Sequence, residues 1–240
     1  MAGRHTVTAP PPAHSEGDTL STSPHQPLGT ELPVTDRTRL RRMKEKGRTA
    51  RADLDAVLAA GFVCHLGVVV DGAPVVVPTV YGAAADTLYF HGSVAARSLT
   101  SAPGQTVCVT VTHIDGVVLA RSLFEHSINY RSAMIYGVPR PVTDPEETLT
   151  GLRLITEQAQ PGQWDYARRP SRKELAATTL LALSLEEASV KLRTGPPDDG
   201  DSPDAALGLW AGVVPVRLVR GAPVPDPALA PDTPLPHHLR

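Results

Sequence analysis

An Asp-Gly pair at 71–72 separates two Val-rich runs, 62–70 and 73–81, and a second pair at 115–116 lies between runs 106–113 and 117–123. A two-residue hairpin turn needs positive φ at both central positions, which Asp tolerates and Gly adopts freely. Each pair therefore predicts a tight hairpin. Further short strands are expected at 87–91, 131–142, 183–192 and 210–219. Many short strands joined by such turns close most readily into an antiparallel barrel. The expected fold class is mainly β with peripheral helices.

Helix signals are few and local. Residues 53–61 place Leu54, Val57 and Leu58 on one face, with Gly61 as the expected stop. A short helical stretch is expected at 94–101. Asp144-Pro145-Glu146-Glu147 has the form of a helix start, with an acceptor at the cap, Pro in the first turn and Glu at the third position. Ser171 and Glu174 form a second capping box, opening a helix of Ala and Leu.

Proline marks what lies outside the barrel. The chain holds 24 Pro in 240 residues, concentrated in its two ends. Residues 1–35 and 221–240 show no hydrophobic period and are expected as disordered tails. The domain is expected over 36–220, with an exposed acidic loop at 195–206. A net charge of −2 and 4% aromatic residues give no field or stacking surface that would draw nucleic acid or an anionic membrane. With neither a ~20-residue apolar run nor a secretory leader, a cytoplasmic protein is expected. Cys64 and Cys108 lie in apolar runs and read as buried free thiols, although a disulfide between two strands stays open.

Chemistry-bearing motifs are mostly missing: no GxGxxG, Walker loop, paired CxxC, HExxH or GxSxG occurs. His65 and Cys64 are strand neighbours facing opposite sides, so they cannot share a metal. Three polar groups at strand ends remain. Val77-Pro78-Thr79 leads to Val80 and Tyr81. His91-Gly92-Ser93 follows Tyr89-Phe90 and precedes Arg97-Ser98, and His126 stands before Tyr130-Arg131-Ser132. A Gly-Ser turn followed by an Arg has the donors of a phosphate cradle, because the guanidinium fork grips two oxygens. On spacing alone Arg97 and Arg131 read first as surface or carboxylate-paired residues, His91 as a structural His, and Trp164 and Trp210 as packing residues.

The order of these pieces carries a resemblance. VCHLGVVVDGAPVVVPTVYGAAADTLYFHGSVAARSL and SINYRSAMIYGVPRPVTDPEE resemble successive parts of the FMN-binding split barrel of pyridoxamine 5′-phosphate oxidase-like proteins, nearest the flavin-nucleotide-binding and nitroimidazole-resistance branch. The resemblance implies FMN as cofactor and a homodimer whose groove holds it. Val77, Pro78 and Thr79 would line the ring, His91, Gly92, Ser93, Arg97 and Ser98 would hold the phosphate, and Tyr130, Arg131 and Ser132 would contribute from a neighbouring strand or the partner. It further implies a flavin-dependent oxidoreductase acting on a small molecule, with His91, His126 or Tyr130 as proton donors. Ser93-Val-Ala-Ala-Arg97 lacks the Arg-Lys pair of the authentic oxidases, and the Pro-rich end lacks their substrate-phosphate segment, so vitamin B6 oxidation is not expected. A non-catalytic flavin carrier or sensor, and a haem-binding barrel using His237 or His238, are the other readings.

Overall fold

The computed structural model of the protein describes residues 29–240, so most of the expected N-terminal tail lies outside it. Ten antiparallel strands are arranged as a split barrel. They are β1 (Gly47–Arg48), β2 (Val63–Val70), β3 (Ala73–Ala84), β4 (Thr87–Ser93), β5 (Val107–Leu119), β6 (Ser127–Gly137), β7 (Arg140–Pro141), β8 (Thr178–Ser184), β9 (Ala188–Arg193) and β10 (Gly212–Pro215). Their order is β1-β9-β6-β5-β2-β3-β4-β8-β7, with β10 added to β5. Five helices accompany them: α1 (Arg51–Ala59), α2 (Arg97–Thr100), α3 (Pro145–Ala159), α4 (Gln163–Tyr166) and α5 (Arg172–Ala176).

The period of two sorts side chains as a barrel requires. In β2, Cys64, Leu66 and Val68 are buried while Val63, His65 and Val69 face out. They meet Val107, Val109 and Val111 of β5, Leu88 and Phe90 of β4, Ile135 of β6, and Leu181 and Leu183 of β8 in one core. Burial of each such side chain stabilises by about 1.5–3 kcal/mol. The buried face of α1 is Leu54, Val57 and Leu58, as its spacing predicts. A second, smaller core lies outside the barrel wall, where α3 covers Tyr89, Leu180 and Ala182 with Ile155.

The first Asp-Gly pair forms the expected turn, with Asp71 at φ 51° and Gly72 at φ 77° and Val70 opposite Ala73. The second does not. β5 runs straight through 115–116, and Asp115 is an extra residue bulged between the pairs Ile114–Tyr130 and Gly116–Asn129. The expected strand at 131–142 begins four residues earlier as β6, the one at 183–192 is the turn and parts of β8 and β9, and the one at 210–219 shrinks to β10. The helical stretch at 94–101 is only the single turn α2.

Both caps are as expected: Asp144 Oδ2 accepts from Glu147 N at 2.7 Å, and Ser171 and Glu174 complete a reciprocal capping box. The helix it opens is only α5, because the following Ala-Leu run belongs to β8. Gly61 has another role than a helix stop: a Cβ there would lie 2.5 Å from the His113 ring.

Order starts before residue 36. Leu32 is buried in the barrel core, its N–H donates to Thr49 O, and Glu31 bridges Ala50. The acidic loop at 195–206 is not simply exposed. Asp199 is 2% exposed and accepts from the backbone N of Arg121 at 2.5 Å and its Nη1 at 2.9 Å. The Pro-rich C-terminal stretch returns to α4, where His238 Nε2 lies 2.9 Å from Gln163 Oε1. Both cysteines are free; burial pushes the Cys64 thiol up to about 12.

Candidate cofactor groove

The barrel splits between β3 and β4. These strands pair only from Tyr81–Phe90 to Ala84–Thr87. Beyond Phe90, β4 continues with β8 through His91, Gly92 and Ser93, whereas β3 follows β2 over residues 73–80. Leu99 on α2 and Ala102 just after it are buried in the core beneath this opening.

Backbone polarity at the open edge follows from register. The N–H of Tyr81 donates to Phe62 O on the β2 side. In an antiparallel pair the hydrogen-bonding direction alternates, so residues 73, 75, 77 and 79 also turn their backbone groups to β2. Residues 74, 76, 78 and 80 turn theirs to the opening, and among the described residues no strand pairs with them there. Pro74 and Pro78 have no N–H. The edge thus presents four carbonyls and only two donors, the N–H groups of Val76 and Val80.

The expected site residues fall into two places. Val77 packs on the barrel core, Pro78 is on the exposed outer face, and Thr79 Oγ1 reaches across the split to donate to His91 O at 3.3 Å. Ser93 Oγ accepts from Ala95 N at 3.2 Å. Arg97, with Ser98 beside it on α2, pairs with Asp71 at the tip of the β2–β3 hairpin. The groups at 77–79 and 91–98 therefore flank one opening. The third group does not join them within a chain, because β5 and β2 stand between β6 and β3. There Arg131 is held in a two-pronged contact by Asp115, with both N–O distances 2.9 Å. This bond holds the Asp115 carboxyl below its usual range. Ser132 Oγ lies 3.0 Å from Thr112 Oγ1, and Tyr130 stands opposite Ile114.

His91 projects from β4 on the side away from the core. It lines a cleft of about 310 Å³ with Thr156, Trp164, Arg168 and Thr178. Among the described residues its Nδ1 is buried without a hydrogen-bond partner, and burial pushes its pKa down, so the ring is neutral near pH 7. A buried polar atom left unpaired is uncommon and marks a place where a group is still to be accommodated. The Arg169 guanidinium stacks 4.6 Å from the Trp164 ring. Trp210, expected in packing, is instead 68% exposed.

The carboxylate pairing that the sequence left open for Arg97 and Arg131 is made with Asp71 and Asp115, partners that no local pattern named, and His126 Nδ1 lies 2.9 Å from Ser122 O. His65 is the one His of β2, and its imidazole is exposed, without a hydrogen bond among the described residues. The alternation of β2 already turned it outward. Among the described residues there is no cluster of three metal-ligating side chains, and no helix is long and apolar enough to cross a membrane.

Comparison with known proteins agrees with this architecture. A model of the family described as pyridoxamine 5′-phosphate oxidase matches residues 50–192. The flavocytochrome Anf3 from Azotobacter vinelandii is 38% identical, with a TM-score of 0.82, over 87% of this chain and 97% of that one. An FAD- and haem-binding protein from Mycobacterium smegmatis is 41% identical, with a TM-score of 0.76, over 80% and 95%. A putative 5-nitroimidazole antibiotic resistance protein from Bacteroides thetaiotaomicron shares the fold at 21% identity and a TM-score of 0.51, over 60% and 85%. No curated protein matches the chain. The matched family segment contains the whole split between β3 and β4, and the chain belongs to the pyridoxamine 5′-phosphate oxidase family.

Proposed function

We propose that this protein is a flavin-binding oxidoreductase that holds the flavin at the split between β3 and β4. The observation that carries the reading is the half-paired edge of β3. Its alternating carbonyls with the N–H groups of Val76 and Val80 suit a ring whose rim carries both an N–H donor and carbonyl and imine acceptors. Val77, Pro78 and Thr79 support the ring, while Gly92 makes room for Leu99 of α2, whose Cδ1 lies 2.5 Å from where a Cβ would stand. Ser93, Arg97 and Ser98 take the phosphate nearest the ring. Arg97 and Asp71 are both more than two-thirds exposed, so their pairing in water exchanges easily for a phosphate. FMN is the flavin expected from the sequence, and FAD is the flavin named for the mycobacterial relative. Either would place a phosphate at this end.

The bound flavin supplies the electron or hydride chemistry. The chain's part is to bind and orient, and to keep His91 neutral beside the groove as a hydrogen-bonding group for a small-molecule substrate. A homodimer completes the site in this reading. The outer sheet face leaves Val69, Val76, Ile114 and Met134 uncovered, and the β5–β6 connection ends in Leu123 and Phe124, 87% and 91% exposed. Apolar surface of this extent calls for a two-fold partner. That partner would bring Tyr130, Arg131 and Ser132 to the groove. A cytoplasmic location belongs to the same reading.

The kinship to a flavocytochrome and to an FAD- and haem-binding protein favours haem as a second cofactor. His238, which the sequence offered as an axial ligand, is occupied by Gln163 and by the Tyr166 ring. His65 fits better: an unengaged imidazole on the uncovered apolar sheet, opposite Pro78 and Thr110. The absorption spectrum of the purified protein tests both readings, with chromatography of the released chromophore. Flavin bands support the first, and FMN or FAD in the eluate decides between the two. A Soret band that His65→Ala removes supports the second. A colourless protein that takes up neither cofactor overturns both.

A further inference from the structure

Residues 36–51 hold eight of the chain's 23 Lys and Arg and only two of its 25 Asp and Glu. They lie at the β1 end of the sheet, away from the split. Two of these arginines are structural and have their carboxylates. Arg37 Nε donates to Glu187 Oε1 at 3.0 Å, and Arg51 contacts Asp55 at 2.8 Å and Asp86 at 2.9 Å. The others are treated differently. Among the described residues Arg41, Arg42, Lys44, Lys46 and Arg48 have no carboxylate within 4.0 Å, and Arg39 has only the solvent-exposed Asp36, at 4.0 Å.

Three of these cations, Arg39, Lys44 and Arg48, ring a pocket of about 260 Å³ between this segment and β9. Buried Leu32 and Val190 give it an apolar floor, and Thr49 and Ser189 are among the residues that line it. The pocket is built rather than incidental. The Arg48 guanidinium is fixed by the carbonyls of Glu45 at 2.9 Å and Gly47 at 2.8 Å, which orient it without neutralising it. Met43 adopts the left-handed conformation, φ 52° and ψ 53°, which side chains other than glycine rarely hold without a constraint. The loop closes so tightly that a Cβ on Gly47 would stand 2.6 Å from Leu40 Cδ1. Like charges gathered around one concavity repel unless an anion joins them.

We propose that this pocket binds a phosphate ester, with Arg39, Lys44 and Arg48 on its oxygens and the Leu32–Val190 floor beneath the group it esterifies. Arg48 takes two oxygens from its fixed position, and Lys44 follows as a mobile point charge. The phosphate can belong to a soluble metabolite or to a lipid headgroup. In the second case Arg41 and Arg42, outside the pocket, add attraction to the anionic surface.

Calorimetric titration of the full chain with inorganic pyrophosphate in physiological salt is the test, run beside sedimentation with phosphatidylserine vesicles. The double variant Lys44→Gln/Arg48→Gln weakens binding about tenfold or more, since each charge-assisted contact is stronger than a neutral one. Both positions are at the surface, and an unchanged unfolding midpoint shows that the variant is folded. Because the double variant leaves Arg97 and the split untouched, loss of pyrophosphate binding in it separates this pocket from the flavin reading. Saturable pyrophosphate binding lost in the double variant supports a soluble ester. Vesicle binding without pyrophosphate binding, lost in the same variant, supports a lipid phosphate. Absence of both, or binding indifferent to the double variant, overturns the proposal.

Discussion

The same dipeptide, Asp-Gly, occurs at two places in this barrel and does opposite things. At 71–72 both residues have positive φ and the chain reverses; a Cβ on Gly72 would meet nothing within 4 Å. At 115–116 the strand continues. Asp115 is the bulged residue, its side chain grips Arg131, and its carbonyl accepts from Val216 N at 3.1 Å. Gly116 is needed there for space, because a Cβ would lie 2.7 Å from Val213 Cγ1 and 3.2 Å from Val214 O on β10. The dipeptide decides which backbone conformations are cheap; the strands on either side decide which one is used. Residues 116–118 pair with both β6 and β10, so the chain gains more by running on.

Substitutions break this contrast in a graded way. The largest effect is expected from Gly116→Ala, which forces β10 away from β5 and costs about 1–3 kcal/mol. Urea unfolding gives the loss, and faster amide exchange at Val213 and Val214 locates it; an unchanged midpoint contradicts the close approach. Gly72→Ala costs about 1 kcal/mol, from the left-handed conformation alone, without altering exchange in neighbouring strands.

Asp115→Asn is smaller still, under about 1 kcal/mol for a pair this exposed, and it depends on pH. Because Arg131 holds the folded carboxyl below its ordinary 3.8, the contribution is present above that value and fades as pH falls through the depressed one. Wild type and variant therefore converge in strongly acidic solution and separate at neutral pH; a constant difference across the range assigns the effect to packing. Arg97→Ala, at the tip of the first turn, leaves stability unaltered. By the proposed function it weakens flavin affinity about tenfold, the loss of one charge-assisted contact, measured by fluorescence on flavin release. Unaltered affinity removes Arg97 from the phosphate.

Legibility followed the range of the forces involved. The turn at Asp71-Gly72, the cap at Asp144 and the capping box at Ser171 are settled within four residues, and each appears where the sequence places it. The bulge at Asp115, the division between β8 and β9 and the burial of Leu32 depend on pairing partners far away in sequence. No local pattern announces them. The candidate site divides likewise. Residues 77–79 and 91–98 stand at strand ends and could be named, yet the edge that unites them exists only because β4 parts from β3 beyond Phe90 while staying paired with β8. The exposed imidazole of His65 was visible in the alternation of β2; its place on an uncovered apolar sheet was not.

The two prolines of β3 have a consequence for life in a crowded solution. A strand with one free side is a template on which another molecule can grow a sheet, the first step towards aggregates. Pro74 and Pro78 remove every second donor from the free side of β3, so an incoming strand would find gaps in any ladder it tried to form. A small ring needs only one or two of those contacts, while an extended chain needs them in series. The opening can thus admit a compact guest and still refuse another polypeptide, which lets a protein keep an unfinished sheet edge throughout its working life.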